Sequence, residues 1–194
     1  MAVNRKTLTS YAFLPNYRNY WKEAGYEDGF SVTMWAPNNR YVNDDKIAQA
    51  AASMLAKIKI KVDLKTMPKA QYWPEFDARA ADMMMIGWHS DTEDSANFNE
   101  FLTMTRNEET GKGQYNCGHY SNAEVDKLIE QSNVETDPAK RAAMLQKVET
   151  TLYNDAAFVP LHWQNLAWGA KSNVDIAPIV NAMNFPYLGD LVVK

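Results

Sequence analysis

The sequence predicts an α/β fold, a sheet with flanking helices, and three stretches carry that prediction. Phe30-Ser31-Val32-Thr33-Met34-Trp35 alternates and is rich in aromatic and β-branched residues, the pattern of a strand released by Gly29. Ile47, Ala50, Ala51, Met54, Leu55 and Ile58 recur at i, i+3, i+4, i+7, i+8 and i+11, the single stripe of a helix lying on a sheet. Ile58-Lys59-Ile60-Lys61-Val62-Asp63-Leu64 alternates strictly and reads as a second strand. Strand, amphipathic helix and strand make a βαβ unit with a right-handed crossover.

The remaining elements follow in order. Residues 15–24 read as a short helix, with Pro15 in its first turn and Gly25 as its left-handed terminator. Asn43 or Asp44 caps the striped helix. Residues 66–79 are helical in composition, with a kink or restart at Pro74. The apolar run Met83-Met84-Met85-Ile86 and the following Gly87-Trp88 form the third strand, so βαβαβ accounts for residues 30–88. A helix over 95–104 comes next, capped by Asp94 or Ser95, and then a polar loop with three glycines over 106–120. Ser121-Asn122-Ala123-Glu124 is a capping box that opens a helix with Val125, Leu128 and Ile129 inward. Asp137-Pro138 opens another, with Met144, Leu145, Val148 and Leu152 on one face. Residues 158–163 and 166–168 read as a late pair of strands. From Lys171 onward Pro178, Pro186 and Gly189 interrupt any regular element, as in a tail that wraps over something else.

At 194 residues the chain is long enough to bury a core within one ordinary domain. A net charge of -4 and a pI near 5.4 argue against a nucleic-acid surface, which needs a basic face. Lys57, Lys59 and Lys61 alternate with Ile58, Ile60 and Val62 and make one solvated face. The single cysteine, Cys117, leaves no internal disulfide and no reading of the redox compartment. No signal peptide opens the sequence, and no apolar stretch approaches the roughly 20 residues that span a membrane. The start looks arbitrary, and a fragment of something longer is the expectation. Six tryptophans and ten tyrosines either fill the core or line a binding surface.

Catalytic and metal signatures are weak. His89, His119 and His162 are scattered, and Cys117-Gly118-His119 offers two ligands where structural zinc takes about four. Asp91-Thr92-Glu93-Asp94 resembles the start of a calcium loop but lacks the turn glycine and the closing glutamate. Gly111-Lys112-Gly113 lacks the rest of a phosphate loop, and no Gly-x-Ser-x-Gly elbow occurs. No cofactor is expected. The three acids Asp91, Glu93 and Asp94 after the third strand have two readings. They cap and solvate the next helix, or they face the crevice that open α/β sheets form at strand carboxyl ends.

The order of the pieces carries a resemblance. It comprises Glu23-Ala24-Gly25-Tyr26-x-x-Gly29-Phe30, Leu55-x-x-Ile58-x-Ile60-x-Val62 and Gly87-Trp88-x-x-Asp91-x-x-Asp94. Tyr120-Ser121-Asn122-x-Glu124-Val125-Asp126-x-Leu128, then Lys140-Arg141 and Pro160-Leu161-His162, continue it. From about residue 15 to its end the chain resembles the C-terminal lobe of the periplasmic dipeptide/oligopeptide-binding proteins, the substrate-binding subunits of peptide ABC transporters. Ser95 departs from the family, which often has Pro after the second acid.

The resemblance implies a mixed sheet in one lobe of a type II periplasmic-binding-protein fold. It implies a linker at 1–14, a solute-binding lobe at 15–170, and a tail at 171–194 that packs on an N-terminal lobe absent from the chain. Asp91 aligns with the residue that pairs with a peptide's α-ammonium group. Trp88, with its neighbours Gly87 and His89, lines the cleft, and Trp73 is a further cleft aromatic. The implied partners are a peptide or peptide-like solute, the missing lobe and the ABC permease subunits, outside the cytoplasmic membrane. An isolated lobe would also self-associate through its uncovered cleft face. Relatives in the superfamily carry nickel complexes, glutathione, opines or sugars. The readings from other classes are a small hydrolase or metal-dependent enzyme on the same sheet, and a protein-interaction module.

Overall fold

Parallel pairing organises the first half of the chain in the computed structural model, which describes residues 21–90, 94–165, 167–181 and 184–193. Residues 21–23 are helical, and Gly25 at φ 80° ends that turn. Gly25 N–H donates to Lys22 O at 3.0 Å and Tyr26 N–H to Trp21 O at 2.6 Å, the double closure of a glycine-terminated helix. β1 (Phe30–Pro37) then pairs in parallel with β2 (Ile60–Met67), Phe30 opposite Ile60 through Pro37 opposite Met67. β3 (Met83–Met84) lies on the other side of β1, so the order is β2-β1-β3. The described sheet is therefore wholly parallel, joined by helical crossovers as the βαβαβ pattern requires.

α1 (Asp44–Ala56) covers one face of this sheet. Ala48 packs with Met34, Ala36 and Met85, flanked by Ile47, Ala51, Val62, Leu64 and Met83. The expected stripe is rotated by part of a turn. Ala48 replaces Ala50 on the buried side, and Met54 is 65% exposed while Leu55 stays half-buried. Periodicity gives the helix but fixes its rotation only loosely, because two small alanines flank the boundary. Asn43 occupies the cap position at φ 57° without a side-chain bond. The buried Asp44 carboxylate instead accepts from the N–H groups of Arg40, Tyr41 and Asp45 at 2.8–2.9 Å.

Two boundaries differ from the sequence reading. β2 runs on through Thr66 and Met67, and Pro68 then starts α2 (Lys69–Asp77), which tolerates Pro74 in its interior. β3 was expected to reach Trp88 but ends at Met84, one hydrogen bond further being made by Met85 N–H to Trp35 O at 3.1 Å. Pro37 stands where β1 would next donate to Met85 O, and it has no N–H. Tyr72 Oη donates to that carbonyl at 2.7 Å instead, from a fully buried position on α2.

The chain forms two compact units that meet at the Ile86–Gly87 bond. In the second, α3 (Ser95–Leu102) is followed by the 106–120 loop, α4 (Ala123–Val134) and α5 (Pro138–Asn154). α4 and α5 bury Val125, Ile129, Val148 and Leu152 together with Met104. The cap of α4 is Asn122, whose Oδ1 accepts from Glu124 and Val125 N–H. Ser121, the expected capping-box residue, instead shares a 2.9 Å bond with Thr105 Oγ1. Asp137 caps α5 as expected.

The expected strands over 158–163 and 166–168 do not form among the described residues, and Leu166 itself lies outside them. Alternation there supplies a side-chain pattern, but a strand also needs a partner edge, and Pro160 cannot donate to one. The tail instead carries β4 (Val174–Asp175) antiparallel to β5 (Val192–Val193), with 3-10 turns at Ala177–Ile179 and Leu188–Asp190.

Candidate functional site

Beyond Met85 the backbone leaves the sheet, and the residues that follow are held by side chains rather than by a ladder. Trp88 is half-buried, and its Nε1 donates to Asn97 Oδ1 at 2.8 Å. Its ring lies 5.5 Å from Phe101 and 5.3 Å from Tyr115, centroid to centroid. Asn97 and Phe101 stand four apart on α3, so one helix face supplies both the polar and the aromatic contact. Tyr115 arrives from the 106–120 loop, which folds back on the carboxyl end of α3. There Gly113 N–H donates to Glu100 O at 2.9 Å and Tyr115 N–H to Phe101 O at 3.0 Å.

Ser90 Oγ donates to Asp94 O at 2.8 Å. Asp94 Oδ1 caps α3 by accepting from Ala96 N–H at 2.9 Å, while Oδ2 accepts from Arg141 Nη1 at 2.7 Å. Arg141 also donates through Nε to Ser132 O at 3.0 Å. Asp91, the residue expected to meet an ammonium group, lies outside the described residues, as do Thr92 and Glu93. Gly87 and His89 are exposed. Trp73 belongs to the first unit, where its ring packs 5.5 Å from Phe76 and 5.6 Å from Tyr72. Phe101, Tyr115 and Asn97 were not singled out from the sequence, and for Asn97 and Phe101 the only available signal was their i, i+4 spacing ahead of the glycine-rich loop. Among the described residues no three His, Cys, Asp or Glu side chains gather as a metal site, and no helix is long and apolar enough to cross a membrane.

The 106–120 loop is tied down at its far end by Tyr120, whose Oη donates to Asp155 Oδ2 at 2.6 Å. Burial, and then the Asp155 carboxylate, push the phenol up from 10.0 to about 12. The same bond, with one from Asn122, holds the Asp155 carboxyl below its ordinary 3.8. A raised folded value means that the Tyr120 contribution is complete below about pH 10 and is lost as pH rises through about 12. The Asp155 contribution runs the other way: it is present above 3.8 and disappears as pH falls through the lower folded value. In an ultraviolet titration of the folded chain, Tyr120 is expected to ionise near pH 12, and Tyr120→Phe should remove one tyrosine's share of the absorbance change there. An unchanged late step in the variant would show that Tyr120 is not its source.

A parallel sheet with flanking helices is the fold that the chain shares with solved periplasmic binding proteins. The chain belongs to the bacterial extracellular solute-binding proteins, family 5 Middle, whose family profile matches residues 8–110. It is 29% identical over 177 residues to a protein of Escherichia coli K12 named as the probable deoxycholate-binding periplasmic protein YgiS, covering 89% of this chain and 31% of that one. It is 25% identical over 162 residues to the glutathione-binding protein GsiB of the same strain, covering 81% of this chain and 31% of that one. Among solved structures it is similar to the periplasmic binding protein DppA of Helicobacter pylori in complex with the peptide STSA. The TM-score there is 0.68 at 26% identity, over 76% of this chain and 28% of that one. The chain thus spans under a third of the length of these relatives. The family and these relatives are binding proteins.

Proposed function

We propose that this chain is the C-terminal lobe of the substrate-binding component of an ABC importer, which captures peptides or peptide-like solutes outside the cytoplasmic membrane and delivers them to the permease. The observation that carries this reading is Trp88, held by Asn97, Phe101 and Tyr115 in a chain of family 5. Relatives named for glutathione and a bound tetrapeptide support a solute with a free amino group. Asp91, three residues after Trp88, is the proposed partner of that ammonium, with Gly87, His89 and Trp73 as further lining. The relative named for deoxycholate supports a second reading, an amphipathic acid packed on the same aromatics. The proposal assigns no catalytic residue, and a turnover assay on ester and peptide substrates tests the hydrolase reading directly.

One lobe cannot enclose about 70–90% of a solute as a pocket does. Binding of trialanine by the 194-residue chain is therefore expected near millimolar, about -4 kcal/mol, read by an NMR titration. Asp91→Asn is expected to cost about 1–2 kcal/mol for trialanine, an ion pair in a half-open site being weaker than a buried one. N-acetyl-trialanine, which has no ammonium, should be unaffected. Equal losses for both peptides would reassign Asp91 to a structural role, and tight deoxycholate binding without peptide binding would favour the second reading.

The proposed tail and cleft face leave much apolar surface uncovered. Trp163 is 92% exposed, and Val159, Leu161, Phe185, Tyr187 and Leu188 are exposed as well. Gathered into a patch, side chains of this kind mark an interaction surface. The 194-residue chain is expected to self-associate at high concentration, which sedimentation velocity reads; a monomer over the whole range would count against it.

A further inference from the structure

We infer that Asn97 is a solute-contacting residue: its Nδ2 donates to a carbonyl oxygen of a peptide-like solute lying beside the Trp88 ring. The inference rests on the solute-binding reading of Trp88 and adds to it a residue and the ligand group that this residue meets.

The orientation of the Asn97 amide follows from its partner. An indole Nε1–H only donates, so the atom 2.8 Å from it is the amide oxygen, Oδ1. The nitrogen, with its two N–H donors, then stands at the other end of the group. Among the described residues Nδ2 meets no acceptor, and Asn97 is only half-buried. Trp88 cannot take over that task, because its single N–H is already committed to Oδ1. The indole is left with its ring faces, and polar recognition at this point falls to Asn97.

The bond to Trp88 uses one end of the asparagine. Asn116, buried in the 106–120 loop, shows what a wholly structural asparagine does with both ends. Its Nδ2 donates to Met104 O at 2.9 Å and to Tyr120 O at 2.8 Å, and its Oδ1 accepts from Tyr120 N–H at 3.2 Å. Nor does Asn97 cap α3, a role held by Asp94 Oδ1. Asparagine is a weak helix former, so the local energetics of α3 give no reason for one at its third position.

The surroundings of the free donor decide which acceptor suits it. Trp88, Phe101 and Tyr115 form one aromatic cluster, with ring centroids 5.3–6.3 Å apart. A neutral amide beside three rings offers a carboxylate no countercharge, and desolvating a charge without one is costly. A carbonyl oxygen needs only an N–H donor, while the methyl or side chain next to it can lie on the rings. The Tyr115 hydroxyl, also without a hydrogen bond among the described residues, is a second polar group on the same cluster. Apolar lining with a few unused polar groups is the make-up of small-solute sites.

The test is an NMR titration of the 194-residue chain with trialanine, following the side-chain amide signals. The Asn97 Nδ2 pair, assigned by its loss in Asn97→Asp, is expected to shift along the same saturation curve as the Trp88 indole N–H. The Asn133 pair, whose Nδ2 already donates to Glu100 Oε2 at 2.9 Å, should stay in place. Asn97→Asp keeps an acceptor for Trp88 but puts a carboxylate oxygen where the donor stood. It should weaken trialanine about fivefold or more. Asn133→Asp makes the same change of charge on α4 and should leave the affinity as it was. Saturable shifts elsewhere with a stationary Asn97 pair, or an unweakened Asn97→Asp, overturn the role of Asn97 and leave the solute-binding reading standing. A wild-type chain with no saturable shift overturns both.

Discussion

Ile129→Ala is expected to destabilise the second unit by about 4 kcal/mol, read as a shift of its urea transition. Ile129 is fully buried on α4 between Val125, Val148 and Leu152, with Met104 closing the cluster. Removing most of its side chain loses the transfer free energy of the deleted groups. A cavity remains as well, because rigid helices on both sides cannot collapse into it. The same helix supplies its own control. Val134 is 79% exposed, and Val134→Ala should move the transition by no more than about 0.5 kcal/mol. An Ile129→Ala cost below about 1 kcal/mol would mean that the α4–α5 interface is not the core of this unit.

Gly113→Ala is expected to cost about 3 kcal/mol or more, through the backbone rather than through lost packing. Gly113 adopts φ 61°, and a Cβ there would stand 2.2 Å from Met104 O and 2.9 Å from Arg106 N. Both obstacles are backbone, so no rotamer change relieves them and the loop itself must move. That loop presents Tyr115 to Trp88, and the variant should therefore also change the Trp88 fluorescence environment. Gly118, five residues on in the same loop, has nothing within 4 Å of its Cβ position. Gly118→Ala should be close to neutral, and equal costs at the two glycines would refute the steric account.

Local pattern sufficed wherever the energetics are local. The alternation of residues 30–35, the stripe of α1 and the cap at Asp137 each depend on neighbours within one or two turns, and the corresponding elements are present. The family itself was legible because its motifs are short strings in a fixed order, from Glu23-Ala24-Gly25-Tyr26 to Pro160-Leu161-His162. Four features were decided elsewhere. β3 stops early because Pro37, 46 residues before Met83 in sequence, withholds a donor, and Tyr72 of α2 then takes the carbonyl. The alternation at 158–163 makes no strand because no edge receives it. Asp94 reads as a helix cap in sequence, and only the return of α5 gives its second oxygen to Arg141. Trp88 could be named from the sequence, but its partners Phe101 and Tyr115 could not. Periodicity reports which face of an element is apolar, whereas the identity of what meets that face depends on chain closure over many residues.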